Sequence, residues 1–320
     1  MLDQYGRTID YLRISITDRC NLRCVYCMPP EGVSCMSHEA ILRYEEIEAI
    51  CQAMAVQGLK HIKITGGEPL VRKGCSHLIR SLKNISGIET VTLTTNGILL
   101  EEMAEQLVHA GVDGINISLD TLDAKEYAQI TRGGDINKVL RGLETILRHP
   151  NVTVKINCVL DENWEQTACL LAELAVKMPV HVRFIEHMPI GLGGDKEVRL
   201  QDQVKKTLEN VYGPAKVAEK PMGFGPSVYY RFENFQGKIG FISAISHKFC
   251  GNCNRVRLTA DGKLRLCLQS EDSIDLKTIL RSDRKTELVS VIKEAIWQKP
   301  REHNFDQKQI EAKSMAQIGG

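Results

Sequence analysis

Between residues 10 and 189, short apolar runs alternate with stretches whose apolar residues recur every three or four positions. The runs YLRISIT (11–17), HIKITG (61–66), TVTLTT (90–95), GINISLD (114–120), VTVKINCVL (152–160) and VHVRFIEHM (180–188) predict strands. Most are rich in Ile and Val, as strands buried on both faces are. Residues 44–57, 75–84, 101–110, 136–148 and 164–178 predict helices, one apolar set being Ile47, Ile50, Cys51 and Met54. Gly58, Gly87 and Gly111 stand where helix C-caps belong. Strands alternating with helices imply right-handed parallel βαβ units.

Two parallel architectures fit that rhythm, a doubly wound sheet and a barrel. Polar groups follow nearly every strand: DRC, GGEP, TNG, SLDT and EHM. Convergence at the C-terminal strand ends favours an α/β fold with a partial (βα)6, TIM-like barrel. GLGGD near 191 has the wrong spacing for a dinucleotide fingerprint. After Met188 the rhythm stops. A loop, a helix at about 198–212, a hairpin around Gln236-Gly237, two helical stretches and a polar tail ending in Gly319-Gly320 follow. The expected division is a barrel over 1–190 and a C-terminal α+β extension over 191–320.

Charge changes the picture little. Of 320 residues, 41 are basic and 40 acidic, for a net +1, which predicts no nucleic-acid partner and no membrane-surface patch. No apolar run approaches the ~20 residues of a membrane span. MLDQYGRTIDYLR lacks a basic stretch followed by an apolar one, so a cytoplasmic protein without a signal peptide is expected. Cysteine changes it more. There are 11, and in a reducing compartment their spacing reads as metal or catalytic chemistry. Cys35, Cys51, Cys75, Cys158 and Cys169 are scattered and read as small buried hydrophobes. The other six form two triplets, Cys20/Cys24/Cys27 and Cys250/Cys253/Cys267.

A closed structural zinc site wants four ligands. A [4Fe–4S] cube held by three thiolates keeps one iron free for another ligand. The first triplet, CxxxCxxC, has His38 as its nearest histidine, an unconvincing fourth ligand. The second, a CxxC whose third thiol returns past an Asp261-Gly262 turn, also reads as a zinc ribbon with His247 as the fourth ligand. Arg255 and Arg257 alternate on the strand after this knuckle and can point the same way.

CxxxCxxC with Tyr26 before its third cysteine, joined to GGEP at 66–69, resembles the radical S-adenosylmethionine superfamily. That resemblance implies a cluster whose free iron is chelated by S-adenosylmethionine, and one-electron cleavage to a 5′-deoxyadenosyl radical. LRISITDRCNLRCVYCMP (12–29), FCGNCNRVRLTADGKLRLCL (249–268) and the final double glycine resemble the GTP 3′,8-cyclase family, over about 12–320. Membership implies two [4Fe–4S] clusters, the second binding guanine at its open iron. It also implies conversion of GTP to (8S)-3′,8-cyclo-7,8-dihydroguanosine 5′-triphosphate, the first step of molybdenum-cofactor biosynthesis. By the same resemblance, Arg13, Lys63, Thr94, Lys155, Arg255, Val256 and Arg257 contact GTP, with Arg13, Arg255, Arg257, Gly319 and Gly320 acting in catalysis. Tyr26, Gly67, Ser118 and Met188 line S-adenosylmethionine. Position 63 is usually arginine in the family; lysine keeps the charge without the bidentate fork. Glu68 and Asp120 are expected as acidic company for these cations. A homodimer, an electron donor such as flavodoxin or ferredoxin, and a functional link to cyclic pyranopterin monophosphate synthase are also implied. The rival readings are a peptide-modifying radical enzyme, an iron–sulfur electron carrier and a zinc-stabilised binding module.

Overall fold

The computed structural model describes residues 1–160, 164–190, 201–219, 222–270 and 272–305. Six strands lie side by side in chain order, all parallel: β1 (Tyr11–Ser15), β2 (His61–Thr65), β3 (Thr90–Thr95), β4 (Gly114–Ser118), β5 (Thr153–Val159) and β6 (His181–Ile185). Each falls within a run that the sequence predicts. The helices between them are α1 (Tyr44–Ala55), α2 (Cys75–Lys83), α3 (Leu100–His109), α4 (Ala124–Thr131), α5 (Ile136–Leu147) and α6 (Trp164–Lys177). Gly58, Gly87 and Gly111 all take positive φ, so the helix stops hold. The sequence reading lacks α4. Its signal was present: the Asp123 carboxylate caps it by accepting from the Glu126 amide at 2.8 Å.

The extension contains α7 (Gln201–Tyr212), β7 (Lys216–Val217), β8 (Val228–Arg231), β9 (Ile239–Ile242), β10 (Arg255–Leu258), β11 (Lys263–Arg265), β12 (Ser273–Asp275), α8 (Leu276–Leu280) and α9 (Leu288–Trp297). It flanks the barrel wall on both sides. β9 pairs with β6 in parallel, and β10 pairs with β1 in parallel. β8 and β9 form the expected hairpin, and β10 turns at Gly262 into antiparallel β11. The sheet order is β12-β11-β10-β1-β2-β3-β4-β5-β6-β9-β8-β7. Among the described residues its outer strands do not pair with each other, so the barrel is open. Residues 243–254 carry the chain from one flank to the other.

The packing follows strand alternation. Leu12, Ile14, Ile62, Ile64, Val91, Leu93, Ile115 and Ile117 face outward and are fully buried in one core with the helices. Truncating Leu12 to Ala would cost about 2–5 kcal/mol. The expectation of strands apolar on both faces is corrected here. Helices cover only the outer face, so the inner face carries polar residues instead. Cys51, Cys75 and Cys158 are buried as expected, but Cys169 is half-buried and Cys35 exposed. Cys35 lies in the loop before α1, where no apolar face covers it. Among the described residues no helix is long and apolar enough to cross a membrane.

Candidate active site

The inner face of the barrel is cationic. In register, Arg13 of β1 lies beside Lys63 of β2 and Arg257 of β10. Lys155, Arg183 and Arg255 project from the same face of their strands. The eight parallel strands, β1 to β6 with β9 and β10, carry these six cations and no Asp or Glu. Amides hold part of the array. Asn157 Oδ1 accepts from Arg183 Nε at 2.9 Å, and the Asn116 side-chain oxygen accepts from Arg183 Nη2 at 3.0 Å and from Lys63. The buried Nε of Arg13 has no partner among the described residues.

Burial and mutual repulsion depress these groups. Arg13 falls to about 10, first from burial, with Tyr11 opposing and Arg255 and Arg183 adding. Burial, then Arg183, Arg13 and Lys155, hold Lys63 well below its usual range. Arg257 is likewise pushed well down, by burial, then Arg13 and Arg255. Lys155 drops to about 7 through burial and Arg183; its ammonium donates to the Met222 carbonyl and lies 5.6 Å from the Tyr229 ring centroid. A bound polyanion would relieve all of these shifts together.

At the C-terminal end of β1 sits the loop of Cys20, Cys24 and Cys27. Helix α4 fixes it: the amides of Arg23 and Val25 donate to the Thr131 and Ile130 carbonyls at 3.1 and 2.9 Å. Arg132, left-handed at φ 55°, donates Nη1 to the carbonyls of Arg23 (2.8 Å) and Met28 (2.6 Å). GGEP closes the other side, with Gly67 N donating to Thr17 O at 2.6 Å and Glu68 N to Arg19 O at 2.8 Å. A Cβ on Gly67 would meet Arg19 O at 2.4 Å, so only glycine permits this approach. Cys20 Sγ accepts from Leu22 N at 3.4 Å and Asn96 Nδ2 at 3.8 Å. Burial raises the thiol pKa of Cys20, with Glu68 adding, and that of Cys24, with Asp120 adding.

Glu68 and Asp120 therefore belong to this end, and their expected place among the cations is corrected. Glu68 accepts from Thr95 Oγ1 (2.8 Å) and Asn96 N (2.6 Å), tying β2 to the end of β3. Asp120 accepts from Tyr26 Oη at 2.6 Å and from Val159 N at 2.9 Å, tying the cysteine loop to the end of β5.

The second triplet lies at the opposite end of β1. Cys253 N closes a turn on Cys250 O at 3.1 Å, and Asn254 O accepts from Tyr11 N at 3.2 Å. Arg257 pairs with Arg265, so Cys267, two residues on, returns beside the knuckle. The five-residue β1 separates the two ends by ~13 Å, at about 3.3 Å per residue. Here burial would raise the Cys253 thiol, but Arg255 and Lys299 outweigh it and hold it at about 7. His247 Nε2 lies 3.6 Å from the Asp202 carboxylate. Among the described residues no three His, Cys, Asp or Glu side chains converge on one metal-ion position. A cube binds each thiolate to a different iron, so it does not need that convergence.

The structure brings Arg13, Lys63, Thr94, Lys155, Arg255 and Arg257 to one inner face, with Ser118 at the C-terminal end of β4. Alternation turns the Val256 side chain, 1% exposed, into the outer core, which leaves its main chain to face the inner side. Met188 packs against Ile190 and Phe305. Gly319 and Gly320 lie outside the described residues, as does GLGGD. The sequence reading missed Arg183, Asn116 and Asn157. Period-two alternation would have found them, since Arg183 shares a face with His181 in HVRFI.

Comparison with known proteins shows the family and the fold. The family model described as Radical SAM superfamily matches residues 14–172, and that of Molybdenum Cofactor Synthesis C matches 180–305. The GTP 3′,8-cyclase of Pelotomaculum thermopropionicum is 46% identical over 325 residues, covering 100% of both chains. That of Desulforamulus reducens is 43% identical with the same coverage. Among solved structures, Streptococcus suis SuiB bound to S-adenosylmethionine superposes with a TM-score of 0.62 at 15% identity, over 90% of this chain and 68% of that one, a likeness of fold alone.

Proposed function

The chain belongs to the GTP 3′,8-cyclase family, and from that premise we propose that it converts GTP to (8S)-3′,8-cyclo-7,8-dihydroguanosine 5′-triphosphate, the first step of molybdenum-cofactor biosynthesis. One observation carries the reading: between two three-cysteine loops, the eight parallel strands carry six inward cations and no carboxylate. The donors fit the expected groups. Two N–H groups aim at Cys20 Sγ, as thiolate ligands of a cluster receive. Cys253 is held near pKa 7, poised to ligate as a thiolate.

Cys20, Cys24 and Cys27 would hold one [4Fe–4S] cluster, and Cys250, Cys253 and Cys267 a second. When bound, the first cluster and S-adenosylmethionine would supply the radical chemistry that removes H3′ from GTP, and the second cluster would offer a site for guanine. Gly67, Tyr26, Ser118 and Met188 would seat S-adenosylmethionine at the C-terminal strand ends. Asp120 would hold the Tyr26 ring in place from behind. Arg13, Lys63, Lys155, Arg183, Arg255 and Arg257 would neutralise the triphosphate, about four negative charges. Thr94 and the Val256 main chain would add polar contacts. These charges would fix the ribose so that the C3′ radical can bond to C8, after which one electron from the reductant and one proton complete the dihydro product. We keep 1–190 as the barrel and 191–320 as the extension, and assign Gly319 and Gly320 to the active site. A cytoplasmic homodimer fed by flavodoxin or ferredoxin, passing its product to cyclic pyranopterin monophosphate synthase, completes the proposal.

A peptide-modifying enzyme shares the fold, but the cationic, carboxylate-free wall favours a polyanion. It also argues against an electron carrier without substrate. The test is anaerobic turnover of GTP deuterated at C3′. The expected result is deuterium in 5′-deoxyadenosine and one cyclised product; deoxyadenosine without deuterium would overturn it.

A further inference from the structure

The N-terminal LDQYGRT folds back on itself. Leu2 and Thr8 form an antiparallel bridge, and Gly6 turns the chain at φ 76°. The Asp3 carboxylate accepts from the amides of Tyr5 at 3.0 Å and Arg7 at 2.9 Å. This turn directs Arg7 into the molecule, where it is only 8% exposed.

Four of the five guanidinium N–H groups have partners on three separate segments. Nε donates to Asp3 Oδ2 at 2.6 Å, Nη1 to the carbonyls of Cys250 (2.9 Å) and Arg301 (2.7 Å), and Nη2 to that of Pro300 (2.6 Å). Burial would raise the Asp3 carboxyl, but the Arg7 amide and guanidinium, with the Tyr5 amide, outweigh it and hold it low. The carboxylate of Asp3 therefore stays charged inside the fold.

The segment that Arg7 grips then runs over both arms of the second cysteine site. Lys299 donates to Leu266 O, next to Cys267. His303 Nε2 donates to Ala244 O at 2.8 Å, and Asn304 N donates to Gln269 Oε1. Residues 299–305 thus lace the Cys250 arm to the Cys267 arm, and Arg7 fastens that lace to Cys250. Among the described residues, the Cys250 carbonyl accepts from Cys253 N and Arg7 Nη1 and from no barrel strand. Arg7 also lies outside the residues matched by either family model.

We propose that Arg7 is a positioning residue for the second cluster, fixing Cys250 against the segment that also braces Cys267. The inference rests on the second-cluster reading above. A planar fork is needed because the acceptors are three carbonyls and a carboxylate around one buried centre, which lysine cannot satisfy.

The test is anaerobic reconstitution of the full chain as parent, Arg7→Ala and Arg7→Lys. Iron content, S-adenosylmethionine cleavage without GTP, and the effect of GTP on the reduced-cluster EPR spectrum are read for each. The parent should hold roughly eight irons, two cubes' worth. Arg7→Ala should fall to roughly four, keep its cleavage, and lose the GTP effect; added methylguanidine should restore part of both losses. Arg7→Lys should keep more iron but show a changed GTP spectrum. If Arg7→Lys matches the parent in iron and spectrum, the inference is overturned. Equal loss of both clusters and of cleavage in Arg7→Ala would also overturn it, since the role would then be global stability. A parent with only roughly four irons would overturn the second-cluster reading, and this inference with it.

Discussion

The two cysteine triplets offer the same number of thiols in opposite surroundings. Around Cys20 and Cys24, burial and the carboxylates Glu68 and Asp120 raise the thiols. Around Cys253, Arg255 and Lys299 bring the thiol down to about 7 despite burial. On the proposed reading, three thiols would leave each site an open iron, and the opposite surroundings would fit the two for different tasks. Negative neighbours lower a cluster's potential and favour electron donation. Positive neighbours favour an anionic ligand. On the proposed reading, the six cations between them would serve the second site's substrate.

The largest expected effects separate the two sites outright. Cys24→Ala should abolish 5′-deoxyadenosine formation. Cys267→Ala should abolish cyclisation while cleavage of S-adenosylmethionine continues, uncoupled from GTP. Product from Cys267→Ala would erase the division of labour. Residues added after Gly320 should also stop cyclisation with both clusters assembled; full product formation at full iron content would mean that the tail takes no part.

A smaller effect tests the wall between the triplets. Arg183→Ala, Arg255→Ala and Arg257→Ala each remove charged hydrogen bonds of about 1.5–3 kcal/mol. GTP use should therefore weaken by roughly tenfold or more, measured as kcat/KM, with GTP-free cleavage unchanged. Unaltered kinetics would return these residues to a structural role.

The smallest effect is one of pH. In the free protein Lys155 sits at about 7, and a bound triphosphate would raise it. Below pH 7 the ammonium is already present. Above it, binding must recruit a proton, so KM for GTP should rise with pH, by at most about tenfold per unit. Lys155→Arg should flatten the rise; an unchanged profile would exclude Lys155 as its source.

Much of this was legible in the sequence. The βα rhythm placed six strands and five helices because each carries its own local period. The cysteines were legible because spacing alone limits their chemistry. Long-range pairing was not: β9 and β10 flank β6 and β1 through contacts that leave no local pattern. Arg183 was overlooked because HVRFI passes for an apolar run until alternation assigns it a face. Arg7 was invisible because its partners, near residues 250 and 300, are distant in sequence.

The central claim, one ligand for each triplet, is tested most directly by EPR of the reduced single-cluster variants. In Cys24→Ala, GTP should change the spectrum and S-adenosylmethionine should not; in Cys267→Ala, the pattern should reverse. A GTP-induced change in Cys267→Ala, or none in Cys24→Ala, would contradict the account.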